Sequence, residues 1–102
     1  MPAYLISYDL RKVRKYDALL KQLRDWSCHK LHESTWLGVL KGPAPTIRTL
    51  LRRHIDGDDR LAVLELRPGA DWALTAVDQQ DRRSGAWLSA NVTPNQASKP
   101  KS

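Results

Sequence analysis

Apolar and polar positions alternate from Tyr4 to Leu10, with Tyr4, Ile6 and Tyr8 on one face and Leu5, Ser7 and Asp9 on the other. A period of two in residues that favour extended backbone predicts a strand. The period then lengthens: Tyr16, Leu19, Leu20 and Leu23 recur at i, i+3, i+4 and i+7, one apolar stripe of a helix with Lys15, Lys21, Gln22 and Arg24 left to water. Asp17 stands four residues before Lys21, a pair expected to add a few tenths of a kcal/mol. The stretch CHKLHESTWLGVLKG predicts extended chain, either one bent strand or two short ones breaking near Ser34.

GPAPT punctuates the chain, because proline suits the first turn of a helix and disrupts its interior. Ile47, Leu50, Leu51 and His54 or Ile55 give the second helix stripe, with Arg48, Arg52 and Arg53 on its other faces. DGDD predicts a turn. From Arg60 to Leu66 the period is again two, and Pro68-Gly69 closes that strand. Beyond it the pattern weakens. Trp72, Leu74, Val77, Trp87 and Leu88 fit a short strand, a helix or a packed irregular arm. The polar, proline-bearing residues 93–102 are expected to form a mobile tail, leaving residues 1–92 as a single domain with a C-terminal arm.

The order strand, helix, strand, helix, strand and terminal element predicts an α+β fold. The expected form is a ferredoxin-like two-layer sandwich with both helices on one face of an antiparallel sheet. Such a sandwich leaves the second sheet face bare. Leu5, Trp36 and the later tryptophans supply apolar groups for a partner, so a symmetric homodimer is expected.

Charge changes the picture more than size does. The 102 residues carry a formal net charge of +6, with 41% apolar and 27% charged residues. A basic surface of this kind draws phosphate backbones or other anions. No apolar run approaches membrane-spanning length, so no membrane partner is expected. No leader pattern precedes the first strand, and the single cysteine, Cys28, has no partner for a disulfide. A reduced, cytoplasmic protein is the expectation.

Candidate chemistry starts at Asp9, a lone carboxylate followed by Arg11, Lys12, Arg14 and Lys15. It caps a turn and pairs with Arg11 or Arg14, or it is half of a metal site on a phosphate-handling surface. Arg48, Arg52 and Arg53 form either a phosphate track or a solvated helix face. His29 and His32 stand three apart, and strand alternation would send them to opposite faces, away from a shared ion. Cys28 reads as a small buried apolar group. Trp36, Trp72 and Trp87 read as packing residues, with base stacking as the alternative.

YLISYDLRKVRKYDALLKQL, HESTWLGVL and APTIRTLLRRHIDGDDRLAVLEL together resemble the small CRISPR-associated Cas-two proteins and the short bacterial proteins called SinR-like. The resemblance covers residues 4–74, or to Leu88 for the SinR-like set, and rests on Tyr8-Asp9 and on Ser34, Thr35 and Trp36. The serine in that family is usually followed by Val-Phe, where this chain has Thr35 and Trp36. The resemblance implies a ferredoxin-like homodimer in which Asp9 and its symmetry mate hold a divalent ion, magnesium (Mg2+), for endoribonuclease or endodeoxyribonuclease cleavage of phosphodiester bonds. Metal-bound water would attack, and Arg11 and Arg14 would clamp the phosphate oxygens. The alternative is a non-catalytic dimer, a scaffold or antitoxin-like module that works through protein contacts.

Overall fold

In the computed structural model, which describes residues 1–11 and 16–93, the alternating N-terminal segment forms strand β1 over Ala3–Asp9. Tyr4, Ile6 and Tyr8 are buried on one face, as the period of two requires. Helix α1 follows at Asp17–Asp25 and buries Leu19 and Leu23. Lys21 pairs with Asp25, at 2.7 Å, rather than with Asp17; both lie one helical turn away, and the exposed pair adds little. The helix stops without a glycine. Ser27 takes a φ of 60°, Ser27 N–H donates to the Arg24 carbonyl and Cys28 N–H to that of Leu23. These two bonds close the helix end as a Schellman motif, with serine in the left-handed position that glycine usually holds.

The CHKLHESTW stretch resolves into two strands, β2 (His29–His32) and β3 (Thr35–Val39), turning at Glu33 and Ser34. Helix α2 spans Ala44–Arg52 with Pro45 in its first turn, and β4 spans Arg60–Leu66. The four strands form an antiparallel sheet in the order β2-β3-β1-β4. This order, with the β1-α1-β2 and β3-α2-β4 connections, is consistent with a ferredoxin-like α+β fold.

Helices α1 and α2 cover one face. Their Leu19, Leu23, Ile47 and Leu51 pack with Tyr4, Ile6, Tyr8, Trp36 and Leu40 in the main core. The opposite face is not left bare. A third helix, α3 (Gln79–Asn91), lies there with the segment around Trp72 and Leu74. Leu88 and Val92 pack on Ala3, Leu31 and Leu37, with Leu5, Leu66, Trp72 and Trp87 around them. The two-layer expectation thus gives way to a sheet clothed on both sides, because the terminal segment buries apolar surface that the sequence reading reserved for a partner. The β4 side stays open: Leu64, opposite Leu5 in the register, is 52% exposed.

The α3 start is capped by side chains. Asp78 accepts from Asp81 N–H at 3.0 Å, and Asp81 reaches back to Val77 N–H at 2.9 Å. That bond, with help from the Asp78 N–H and the nearby His32, lowers the Asp81 pKa. The far end is tied down too. Thr93 donates its N–H to Leu88 and its hydroxyl to the Ala70 carbonyl. The packed chain therefore includes Thr93, the first residue of the expected tail; the rest of that tail lies outside the described residues. No helix among the described residues is long and apolar enough to cross a membrane.

Candidate nucleic-acid interface

Asp9 ends β1 with an exposed side chain, directly across the ladder from Arg60 of β4. The two border a shallow cavity of about 180 Å³, lined also by Ser7, Tyr8, Leu61 and Ala62. Among the described residues Asp9 has neither a hydrogen bond nor an ion pair. Among the described residues the turn-capping bonds go to another carboxylate. Asp59 accepts from Arg11 N–H at 2.8 Å and from Tyr16 O–H at 3.1 Å, and Asp56 N–H also reaches it at 2.8 Å. One acid from the DGDD turn thus ties down both ends of the β1–α1 connection. Arg11 keeps its guanidinium exposed. Arg14 lies outside the described residues.

Two residues went unnoticed in the sequence. Arg60 reads there only as the start of a strand, yet the register sets it beside Asp9. Asp59 reads as one of three turn aspartates, and its partners lie up to 48 residues away, so no local spacing announces it.

Tyr8, Ser34 and Trp36 do converge, but inside the protein. Tyr8 N–H donates to the Ser34 carbonyl at 3.0 Å. The Trp36 indole N–H donates to the Tyr8 hydroxyl at 3.1 Å, in a buried bond. These bonds join β1 to the β2–β3 turn, and Tyr8 and Trp36 fill part of the main core. Trp72 and Trp87 pack against the second face, half-buried, so the three tryptophans serve packing.

On α2, Ile47 and Leu51 are buried while Arg48, Arg52 and the following Arg53 are exposed. None of the three makes an ion pair among the described residues. Arg48 and Arg52 are one turn apart on one face, and Arg53 extends the positive charge past the helix end.

The two histidines depart from the alternation argument. A bulge between Lys30 and His32 sets His29 opposite Leu37 and His32 opposite Thr35, two positions on the same face of β3. Each imidazole then meets its own neighbour on α3. His29 Nε2 lies 2.8 Å from the hydroxyl of fully buried Ser84, whereas His32 sits near Asp81. No cluster of three or more His, Cys, Asp or Glu side chains suited to a metal occurs among the described residues.

Burial, reinforced by the positive charge of Arg83, holds the His29 pKa below its ordinary 6.5. The fold therefore prefers neutral imidazole, and the unfolded chain takes up the proton first as pH falls. Stability from this site is complete above pH 6.5 and is lost as pH drops through the lowered native value. A His29→Gln variant should show a flatter urea midpoint across that window than the wild type. Equal slopes would show that the imidazole does not titrate differently on folding.

Cys28 is partly buried beside Gly38, and burial pushes its thiol pKa up to about 11. The nucleophilic thiolate is scarce at neutral pH. Alkylation by iodoacetamide at pH 8 should therefore be slow in native protein and rapid in urea. Native labelling at the rate of a free thiol would refute this environment.

Compared with models of protein families and with curated proteins, the chain matches none.

Proposed function

We propose that this protein is a Cas-two-like homodimer that binds nucleic acid through its phosphate backbone, without reading base sequence. The observation that carries this reading is the row of exposed arginines on α2, Arg48, Arg52 and Arg53, unpaired among the described residues and mounted on a helix locked into the core. Guanidinium groups held this way meet phosphate oxygens with two parallel hydrogen bonds. Arg11 and Arg60 add positive charge at the β1 end, and the net charge of +6 favours encounter with polyanions.

The same reading extends to metal-dependent cleavage through Asp9, whose carboxylate is exposed and free of protein partners among the described residues. One carboxylate per chain is too few for magnesium, which takes six oxygens. Two Asp9 carboxylates across a dyad, with substrate phosphate and waters, would complete the shell. The bound ion would supply an activated water and neutralise charge on the phosphoryl group.

Two measurements test the proposal. Fluorescence anisotropy with a mixed-sequence duplex and a single strand should show binding that weakens steeply with added salt and does not depend on sequence. Incubation of RNA and DNA with Mg2+ or Mn2+ should give cleavage that Asp9→Asn abolishes, with dimerisation and affinity unchanged. Salt-sensitive binding without cleavage would leave a nucleic-acid scaffold. Absence of binding at low salt would sink the proposal and favour the scaffold or antitoxin-like reading.

A further inference from the structure

A second cavity lies away from Asp9, where the end of β3 and the first turns of α2 meet the residue that follows α1. Its volume is about 500 Å³, within the range of small-molecule sites. Val39, Leu40, Ile47 and Leu50 give it apolar walls. The polar side chains on its lining are Trp26, Lys41 and Thr46.

These three groups have one property in common. The indole N–H and the ammonium only donate hydrogen bonds, and the hydroxyl can donate. None of the three side chains is hydrogen-bonded to protein among the described residues. No carboxylate or amide side chain lines the cavity to accept from a ligand. The donor-rich set favours an occupant that brings acceptors, together with an apolar body to cover the aliphatic walls. A neutral alcohol satisfies the walls but leaves the ammonium without a counter-charge. A nucleobase brings N–H donors and ring acceptors that aliphatic walls cannot satisfy, and burying them unpaired is unfavourable. A carboxylate on a hydrocarbon body meets both conditions.

We propose that this cavity binds a small amphipathic carboxylate, its chain or ring against Val39, Leu40, Ile47 and Leu50 and its anionic group at Lys41 with Trp26 and Thr46. The site shares α2 with the arginine row but uses Thr46, Ile47 and Leu50 rather than the arginines. A volume of about 500 Å³ suits a free acid of medium size.

The test is a titration of isotopically labelled full-length protein with octanoate, octanol and adenosine monophosphate, following the Trp26 indole resonance by NMR. Octanoate should shift it saturably, with a dissociation constant in the millimolar range or tighter. Octanol should bind about tenfold more weakly, and Lys41→Ala should weaken octanoate by about the same factor, the loss expected when one charge-assisted bond goes. Lys41 is exposed, so this variant should fold; Thr46→Val is a second variant expected to weaken octanoate but not octanol. Failure of octanoate to shift Trp26, equal affinity for octanol, or a saturable shift with the nucleotide alone would each overturn the proposal.

Discussion

Trp36→Ala should lower the stability of the protein by about 4–6 kcal/mol, enough to leave much of the chain unfolded at room temperature. Two losses combine. The indole is 6% exposed in the main core, and truncating a buried tryptophan costs about 3–5 kcal/mol through lost burial and the void left behind. Its N–H also satisfies the Tyr8 hydroxyl, which would be left in a buried site without that partner. Urea unfolding followed by circular dichroism measures the total. A double-mutant cycle separates the parts. Trp36→Phe strands the Tyr8 hydroxyl, and Tyr8→Phe strands the indole N–H. With both changes made, neither group is left over. The double variant should therefore be more stable than the sum of the single losses predicts, by about 1 kcal/mol. Strict additivity would mean that the bond contributes nothing. A stable Trp36→Ala protein that no longer binds nucleic acid would move Trp36 from the core to the binding surface.

That result bears on how far the chain can be read before it is seen folded. β1 and β4 were legible because each turns alternate residues toward the main core, Tyr4, Ile6 and Tyr8 on one and Leu61 and Val63 on the other, which imposes a period of two. The start of α2 was legible because Pro45 fits a first helical turn and little else. α3 was not. It buries Ser84 and Gly85 beside Leu88, so its inner face holds small residues that carry no hydrophobic signal. The end of α1 was hidden for a related reason, since Ser27 occupies a left-handed position that composition assigns to glycine. The histidine faces were misjudged because one extra residue in β2 shifts every later side chain, and nothing in HKLH marks the insertion.

The candidate site divides along the same line. Exposure of Arg48, Arg52 and Arg53 follows from the helix period, because Ile47 and Leu51 fix which way the helix turns. The surroundings of Asp9 depended on β4, the strand that the sheet sets beside β1. Arg11 is held by Asp59, and only the folded chain brings residues 11 and 59 together. Contacts of that range are set by topology and leave no spacing to read.

Replacing Arg48, Arg52 and Arg53 together by alanine should weaken nucleic-acid binding on the order of a hundredfold at low salt while leaving the fold intact. Each arginine that neutralises one duplex phosphate contributes about 0.9 to the slope of log affinity against log salt. The triple variant should therefore lose about 2–3 from that slope, and the difference from wild type should shrink as salt rises. Stability should hardly change: all three side chains are exposed, and alanine is the better helix former. Total charge is the competing explanation, since the triple change takes the net charge from +6 to +3. Arg67, Arg82 and Arg83, exposed and outside α2, provide the control. Their replacement removes the same charge, so a bulk electrostatic effect would weaken binding equally. A local track on α2 predicts a much smaller loss for the control and an almost unchanged slope. Equal losses would show attraction without a docking surface, and the proposal would then lose the observation on which it rests.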